Sequence, residues 1–197
     1  MATRPAVFLD RDGVVIDEVD YLRCPSQVRL LAGAAEAIAR LNRLAIPVVV
    51  VTNQAGVAHG YFPESRIAQV HRHLDALLAG HHARVDRYEY CPHHPAGVIA
   101  EYRAECECRK PAPGMLLRAA GECAIDLARS WLVGDKLSDL EAGLRAGCRV
   151  LLVRTGYGRQ AETSLDRLAP ARVAVAADLA EAVEKHLDFG SSASRAA

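Results

Sequence analysis

The sequence has few aromatic residues, no excess of charge of either sign and no long apolar run. Aromatic residues make up 5% of the 197 residues, although 51% are hydrophobic, so we expect a core built mainly of Ala, Val and Leu. Lys+Arg and Asp+Glu both number 24, which leaves no electrostatic footprint for nucleic acid or an anionic membrane. No apolar run approaches the roughly 20 residues of a membrane-spanning helix. Because the N-terminal residues also lack a signal-peptide apolar region, we expect a soluble cytoplasmic protein.

Six cysteines are present, but we do not expect a disulfide scaffold. The chain is long enough, and rich enough in apolar residues, to build a full hydrophobic core without one. Cys24, Cys123 and Cys148 are scattered singly and are expected to behave as small apolar residues or ordinary thiols. The other three lie close to a histidine and form a separate pattern.

Apolar runs alternate with helical patterns along the chain. The four valines of Val48–Val51 are typical of a strand that is buried on both faces of a parallel sheet. We predict strands at Ala6–Leu9, Val48–Val51, Arg87–Tyr90, Ser130–Val133, Arg149–Val153 and, as an edge strand, Val173–Ala176. Helices are predicted at Ala34–Leu44, from about Pro63 to Leu78, and at Gly114–Ala124, Ser138–Ala146 and Leu179–His186. The alternation predicts an α/β fold, a three-layer doubly wound parallel sheet in a single domain over residues 1–189, followed by a flexible tail at 190–197.

Polar residues follow several of these predicted strands. Asp10 and Asp12 come directly after the first strand, and two anions this close repel unless a cation lies between them. Thr52 follows the four valines, Asp135 follows the strand that ends at Val133, and Lys110 precedes a predicted helix. Because ligands bind at the carboxyl ends of parallel strands, we expect these side chains to converge there.

These residue types together suit phosphoryl transfer. Asp10 can attack phosphorus, and Asp12 can protonate the leaving oxygen and later deprotonate water. Asp10 and Asp135 can hold Mg²⁺, a hard cation that prefers carboxylates. Thr52 can donate to a phosphate oxygen, and the charge of Lys110 offsets the repulsion between Asp10 and the phosphate. Each residue alone could be an ordinary turn or surface residue, but their joint placement favours catalysis.

The pattern resembles the haloacid dehalogenase superfamily of phosphohydrolases. Four motifs match in order over about residues 6–158, namely Asp10-Arg11-Asp12-Gly13, Thr52-Asn53-Gln54, Arg109-Lys110-Pro111 and Gly134-Asp135-Lys136-Leu137-Ser138-Asp139. The resemblance implies a Rossmann-like fold with Asp10 as nucleophile, Asp12 as general acid/base, and Thr52 and Lys110 as phosphate stabilisers. The implied Mg²⁺ ligands are Asp10, Asp135 and the main-chain carbonyl of Asp12.

The same resemblance implies that Asp139 orients a neighbouring side chain rather than touches the metal.

About twenty residues, Val14–Gly33, separate the first strand from its helix. This segment is too short for a cap domain, so we expect an open site.

A second group of metal-binding residue types lies in the loop 91–110. It consists of Cys91, His93, Cys106 and Cys108. Three thiolates and an imidazole suit a tetrahedral structural Zn²⁺ site, although one residue separates each pair where two are usual. His94 could replace His93 as a ligand, but the symmetrical spacing of the two pairs favours His93. The alternative to a zinc site is a set of reduced surface cysteines. Since Cys108 directly precedes Arg109, bound zinc would fix the position of Lys110.

With this loop, the sequence is similar to the zinc-containing branch that holds D-glycero-D-manno-heptose-1,7-bisphosphate 7-phosphatases and histidinol-phosphate phosphatases. The long zinc loop and the runs Pro113-Gly114-Met115-Leu116 and Val51–Gly56 favour the heptose enzymes. The similarity implies removal of the 7-phosphate of a heptose bisphosphate through an aspartyl-phosphate, in nucleotide-activated heptose synthesis for lipopolysaccharide or S-layer glycan. The implied substrate contacts are Glu18, Val19, Asp20, Tyr21, Thr52, Asn53, Gln54, Ala55, Arg109, Lys110 and Lys136.

Other functions remain open at this point. The same residues would suit a histidinol-phosphate phosphatase or another small sugar-phosphate phosphatase. A phosphosugar-binding protein without turnover would lack one of the acidic or basic motif residues, and all are present. A phosphatase that processes nucleic-acid ends would need a basic groove, which the zero net charge disfavours. We therefore expect a monomer that acts on a small-molecule sugar bisphosphate, with neither nucleic acid nor membrane as a partner.

Overall fold

The structure, a computed structural model, describes residues 3–168 and 173–189. Within these residues, six strands form one parallel sheet. They are β1 (Val7–Leu9), β2 (Val48–Asn53), β3 (Arg87–Cys91), β4 (Trp131–Gly134), β5 (Arg149–Val153) and β6 (Val173–Ala176). The sheet order is β3-β2-β1-β4-β5-β6, which places β1 at the centre between β2 and β4. The tail predicted at 190–197 lies outside the described residues.

Helices cover both faces of the sheet. They are α1 (Ala34–Arg43), α2 (Ser65–Ala79), α3 (Gly114–Cys123), α4 (Leu137–Ala146), α5 (Gly158–Glu162) and α6 (Leu179–Glu181), which continues as a π-helix over Ala182–His186. One buried apolar cluster joins α1, α2 and α6 to one face, and a second joins α3 and α4 to the other face. Val7 and Leu9 belong to the first cluster and Phe8 to the second, because side chains alternate along a strand. The predicted three-layer doubly wound fold is therefore confirmed.

Three strands end later than the sequence pattern predicts, namely β2 at Asn53, β3 at Cys91 and β4 at Gly134. β2 continues through Thr52 and Asn53, which pair with Tyr90 and Cys91 of β3. The polar side chains do not end β2, since its backbone is still hydrogen-bonded to a neighbouring strand. Consequently Cys91, the first predicted zinc ligand, and Thr52 and Asn53, two predicted substrate contacts, lie at strand ends rather than in free loops.

Some helices also differ from the predicted elements. α2 begins at Ser65, two residues beyond Pro63. The helix predicted over Leu179–His186 is α-helical only to Glu181 before it widens into a π-helix. The sequence pattern does not predict α5, because five residues are too few to show helical periodicity.

The connection between β1 and α1 is short, as expected. Residues 14–33 contain the 3-10 helix Pro25–Gln27 and no further domain, so the predicted absence of a cap at this position is confirmed. Among the described residues, no helix combines the length and the apolar character needed to cross a membrane.

Candidate active site and zinc centre

The predicted catalytic side chains meet at the carboxyl end of the sheet. They border a cavity of about 570 Å³ above the ends of β1, β2 and β4. The predicted residues that line it are Asp10, Asp12, Glu18, Asp20, Tyr21, Thr52, Asn53, Gln54, Ala55, Arg109, Lys110 and Lys136. Val19, the remaining predicted substrate contact, packs against the apolar core cluster instead. Asp135, the remaining predicted Mg²⁺ ligand, is fully buried and does not itself line the cavity. We call Asp10, Asp12, Lys110 and Asp135 together the catalytic floor.

Lys110 is buried at the centre of the catalytic floor. Its Nζ lies 2.9 Å from Asp10 Oδ1 and 2.7 Å from Asp139 Oδ1, and it donates to the carbonyl of Val51 at 2.7 Å. Burial opposes the charge, but the two carboxylates outweigh that effect and raise the pKa of Lys110. The side chain therefore stays an ammonium group, with its charge held against Asp10. Asp139 forms an ion pair with this lysine, a contact of the kind that the predicted orienting role requires.

Asn53 holds the backbone of Lys110. The Nδ2 group of Asn53 donates to the Lys110 carbonyl at 3.0 Å, and the Lys110 N–H donates to Asn53 Oδ1 at 3.0 Å. The side-chain amide of Asn53 thus binds both backbone polar groups of one residue, much as a neighbouring strand would. This contact ties the loop before α3 to the end of β2, and it gives Asn53 a structural task besides its predicted substrate contact.

Asp12 is surrounded by hydrogen-bond donors. The buried Arg11 guanidinium donates to both carboxylate oxygens of Asp12, at 2.9 to 3.2 Å. Gln54 Nε2 and Thr52 Oγ1 also donate to Asp12 Oδ2, at 3.2 and 3.4 Å. Sequence reasoning assigned no role to Arg11, whose position between two aspartates is the one signal that pointed to it.

His71 supports Arg11 from the other side. Its Nε2 lies 3.3 Å from Arg11 Nη1, and its ring stacks on Tyr88 with the centroids 4.1 Å apart. Burial first, and then the charge of Arg11, lower the pKa of His71 to about 3. The imidazole is therefore neutral, and the tautomer with Nε2 as acceptor satisfies the guanidinium.

The acidic residues of the catalytic floor fit a divalent cation. Carboxylate oxygens of Asp10, Asp135 and Asp139 lie within 4.8 Å of one another, and Lys110 already pairs with Asp139. The buried Oδ1 of Asp135 has no hydrogen-bond partner. Burial, and then the charge of Asp10, raise the pKa of Asp135 to about 7. An unpartnered carboxylate oxygen beside a second carboxylate suits Mg²⁺, so Asp10 and Asp135 would hold the ion together with the Asp12 carbonyl.

Two glycines leave room for Asp135. A Cβ atom added at Gly13 or Gly156 would lie 2.2 Å from Asp135 Oδ2 in either case. Both glycines have positive φ, 86° and 53°, a conformation that other residues rarely adopt. The Asp-Gly step of the first motif therefore has a steric reason as well as a turn-forming one.

The rim of the cavity, which we define as Glu18, Asp20, Tyr21, Lys136 and Tyr157, is built from loops. Lys136 Nζ lies 2.6 Å from Glu18 Oε2 and 4.8 Å from the centroid of the Tyr157 ring. The Tyr157 hydroxyl donates to Asp20 Oδ1 at 2.9 Å. Sequence reasoning did not single out Tyr157, although its place after β5 puts it at the same edge of the sheet.

The predicted zinc ligands converge in the loop 91–110. The donor atoms of Cys91, His93, Cys106 and Cys108 all lie within 4.8 Å of one another. The Sγ atoms of Cys91 and Cys106 are 3.5 Å apart, and His93 Nδ1 is 3.4 Å from Cys108 Sγ. A tetrahedral site with Zn–S bonds of about 2.3 Å has similar edges, so the cluster fits Zn²⁺.

The short distances within the cluster shift the pKa of a thiol. A hydrogen bond from the Cys91 thiol is the main cause that lowers the pKa of Cys108 to about 5. Cys108 is therefore readily ionised, as a zinc ligand must be. His94, the alternative ligand, faces elsewhere: its Nδ1 accepts from the Ala96 N–H at 3.1 Å, and its ring contacts His59. The backbone carbonyl of His93 also accepts from Arg109 Nη1 at 3.3 Å, which links the cluster to the cavity.

Comparisons with known proteins identify similar chains. The HAD-hydrolase-like family model matches residues 107–182. The D-glycero-beta-D-manno-heptose-1,7-bisphosphate 7-phosphatase of Yersinia pestis is 43% identical over 160 residues, which are 80% of this chain and 85% of that protein. The protein of the same name from Escherichia coli (strain K12) is 40% identical over 185 residues, 92% of this chain and 94% of that one.

A solved structure is also similar over most of the chain. The D,D-heptose 1.7-bisphosphate phosphatase from B. bronchiseptica, complexed with magnesium and phosphate, superposes with a TM-score of 0.81 at 38% sequence identity. The match covers 91% of this chain and 96% of that one.

Proposed function

The chain belongs to the family of haloacid dehalogenase-like hydrolases that contains the D-glycero-beta-D-manno-heptose-1,7-bisphosphate 7-phosphatases, and we propose that it hydrolyses the 7-phosphate of D-glycero-D-manno-heptose 1,7-bisphosphate. Membership confirms the resemblance that the motifs indicated. The observation that carries the chemistry is the placement of the Lys110 ammonium 2.9 Å from Asp10, at the end of the central strand. The product would enter nucleotide-activated heptose synthesis.

Asp10 is the proposed nucleophile. Lys110 Nζ and the Arg11 N–H both bind Oδ1 of Asp10, so Oδ2 is the oxygen available for attack. The bond from Oδ2 to phosphorus forms as the bond from phosphorus to the sugar oxygen breaks, which gives an aspartyl-phosphate. Asp12 delivers its proton to the departing sugar oxygen. Thr52 and Lys110 donate to the phosphoryl oxygens.

Water completes the reaction. Asp12, now ionised, takes a proton from a water molecule as the water oxygen attacks phosphorus. The bond between phosphorus and Asp10 breaks, and inorganic phosphate and the free carboxylate are released. When bound, Mg²⁺ supplies positive charge that offsets the repulsion between phosphate and carboxylates.

The substrate and setting are supported by different observations. The similarity to named heptose bisphosphate phosphatases supports the sugar bisphosphate, and the Arg109 side chain lines the cavity where a second phosphate would need a cation. The single sheet supports one phosphatase domain within residues 1–189. The monomeric state and the cytoplasmic location stay predictions from the sequence.

Replacement of the nucleophile tests the chemistry. We expect Asp10→Asn to reduce phosphate release from the heptose bisphosphate by at least about a thousandfold, because an amide oxygen cannot form the phosphoenzyme. The thermal midpoint should change little, since Asn keeps an acceptor for Lys110. Asp17→Asn, an exposed aspartate outside the cavity, is the control and should retain full turnover.

Two outcomes would contradict the proposal in different ways. Activity retained in Asp10→Asn would mean that another group is the nucleophile. A higher kcat/KM of the wild-type protein for histidinol phosphate than for the heptose bisphosphate would reject the substrate but keep the chemistry.

A further inference from the structure

We propose that Tyr157 is a positioning residue that fixes the substrate-contacting segment 18–21 and the Lys136 ammonium at the rim, and thereby sets substrate affinity. The inference deepens the proposed function and rests on it. Tyr157 lies in none of the four sequence motifs. Its role follows from three contacts that connect the catalytic floor to the rim.

The backbone of Tyr157 is attached to the catalytic floor. Its N–H donates to Asp135 Oδ2 at 2.8 Å. Two residues earlier, Thr155 Oγ1 donates to the carbonyl of Gly13 at 2.6 Å. The segment that carries Tyr157 is therefore bound to one proposed metal ligand, Asp135, and to the residue that follows another, and its side chain extends from a fixed base.

The hydroxyl of Tyr157 reaches a strained segment. It donates to Asp20 Oδ1 at 2.9 Å. Asp20 and its neighbour Tyr21 have φ values of 26° and 60°, in the left-handed region that residues with a side chain occupy only when their surroundings hold them there. The bond from Tyr157 comes from outside the segment and is a contact of the kind that can hold it.

The ring of Tyr157 contacts the cation of the rim. Lys136 Nζ lies 4.8 Å from the ring centroid and binds Glu18 Oε2 at 2.6 Å. A cation over an aromatic face is attracted by the ring electrons. Tyr157 therefore acts on two residues of segment 18–21, on Asp20 directly and on Glu18 through Lys136.

This division of contacts predicts a specific kinetic effect. Tyr157 is 38% exposed and touches the rim through its side chain, whereas its bond to Asp135 uses only the backbone. Loss of the hydroxyl should loosen segment 18–21 and weaken substrate binding, while the catalytic floor keeps its geometry. KM should therefore rise at an unchanged kcat.

Hydrogen exchange followed by mass spectrometry tests the anchor without substrate. We expect faster exchange in peptides that span residues 18–23 of Tyr157→Phe than in the wild-type protein. Tyr61→Phe is the matched control, because Tyr61 packs on Tyr21 at 4.7 Å but does not line the cavity, and its exchange should equal the wild type. Equal exchange in Tyr157→Phe and wild type would overturn the inference.

Steady-state kinetics test the consequence. Tyr157→Phe should raise KM for the heptose bisphosphate about fivefold, the effect of one lost hydrogen bond, with kcat within twofold. Adding Tyr157→Phe to Asp20→Ala should raise KM no further than Asp20→Ala alone, because the shared bond is already gone. A fall in kcat at unchanged KM, or full additivity of the two changes, would overturn the inference.

The two proposals fail differently. If wild-type protein releases no phosphate from the bisphosphate, the proposed function is rejected, and the exchange experiment still decides whether Tyr157 anchors the rim.

Discussion

Asp12 shows how a single catalytic side chain depends on residues far away in sequence. Its carboxylate is held by Arg11, and Arg11 is held by His71, sixty positions along the chain. The ring of His71 rests in turn on Tyr88 of β3. Asp12, the proposed general acid/base, is thus positioned by a buried cation whose Nη1 group donates to a neutral imidazole.

His71 should make stability depend on pH. Its pKa falls from 6.5 to about 3 on folding, so folding favours the neutral ring. The stabilisation is full above about pH 6.5 and is lost as the pH falls from there toward 3. His71→Gln keeps an acceptor for Arg11 but does not titrate. Between pH 7 and pH 5 the wild type should lose about 1–2 kcal/mol more unfolding free energy than this variant.

Urea unfolding at the two pH values measures this difference. His73→Gln, two positions along the same helix, is the matched control and should follow the wild type. The same pH dependence in His71→Gln and wild type would show that His71 is not the responsible group.

The convergence of the candidate catalytic residues could be predicted from the sequence, but their supporting contacts could not. Asp10, Asp12, Lys110 and Asp135 were expected to meet at one edge of the sheet, because their residue types and their positions around the predicted strands carry a chemical meaning. The contact of His71 with Arg11 could not be predicted, since nothing local distinguishes this histidine from others on a helix. The packing of Val19 against the apolar core could not be predicted for a related reason: adjacent residues of a loop need not face the same way.

At the scale of elements, the zinc loop and β2 both act on the segment that carries Lys110. Asn53 at the end of β2 binds the backbone N–H and carbonyl of Lys110 from one side. On the other side, Cys108 is part of the Cys/His cluster and lies two positions before Lys110. The lysine is therefore fixed by contacts on both sides of a loop whose regular structure is limited to the 3-10 helix Ala100–Tyr102.

Loss of one thiolate should weaken this arrangement. We expect Cys108→Ser to bind less than half an equivalent of zinc and to lower the thermal midpoint by about 5 °C or more, because structural zinc contributes strongly to loop stability. Phosphatase activity should fall as well, since Lys110 loses one of its supports. Zinc is measured by elemental analysis of the purified protein.

Cys24→Ser is the control for this change. Cys24 is exposed and distant in sequence from the cluster, so its variant should keep full zinc and activity. A full equivalent of zinc in Cys108→Ser would contradict the assigned ligand set.

Element types were predictable where the sequence pattern was strong, and element ends were not. The four valines predict β2, but the strand extends to Asn53 because β3 continues to pair with it. α5 is missing from the predictions, since its five residues show no periodicity. Pairing between distant segments decides such ends, and a local pattern does not contain that information.

At the scale of the whole molecule, the catalytic floor lowers the stability of the metal-free protein. The pKa of Asp135 rises from 3.8 to about 7 on folding, so folding disfavours the ionised form. Stability from this group is present at low pH and is lost as the pH rises from about 4 to 7. Above pH 7 the protein therefore folds against the cost of an unpaired buried charge.

Removal of that charge should stabilise the fold and abolish the response to metal. In buffer without added Mg²⁺ at pH 8, Asp135→Asn should raise the free energy of unfolding by about 1–3 kcal/mol. Added Mg²⁺ should stabilise the wild type and leave the variant unchanged. Urea unfolding checks both statements, with Asp17→Asn as the control. A variant less stable than the wild type without Mg²⁺ would contradict this account.

The fold class was predictable from the alternation of apolar runs and helical patterns, but the order of strands was not. Only the folded chain shows that β1 lies between β2 and β4, because strand pairing joins segments that are far apart in sequence. Because β1 pairs with a neighbouring strand on each side, a strand of only three residues, Val7–Leu9, can support Asp10, the proposed nucleophile.

The separation of catalytic floor and rim has an evolutionary consequence. The proposed reacting carboxylates Asp10 and Asp135 directly follow buried strands, where most substitutions disturb the core. The opening is bordered by surface loops, which accept substitutions more readily. Descendants of such a protein can therefore exchange one preferred sugar for another by gradual drift around the entrance, while inheriting an unaltered reaction.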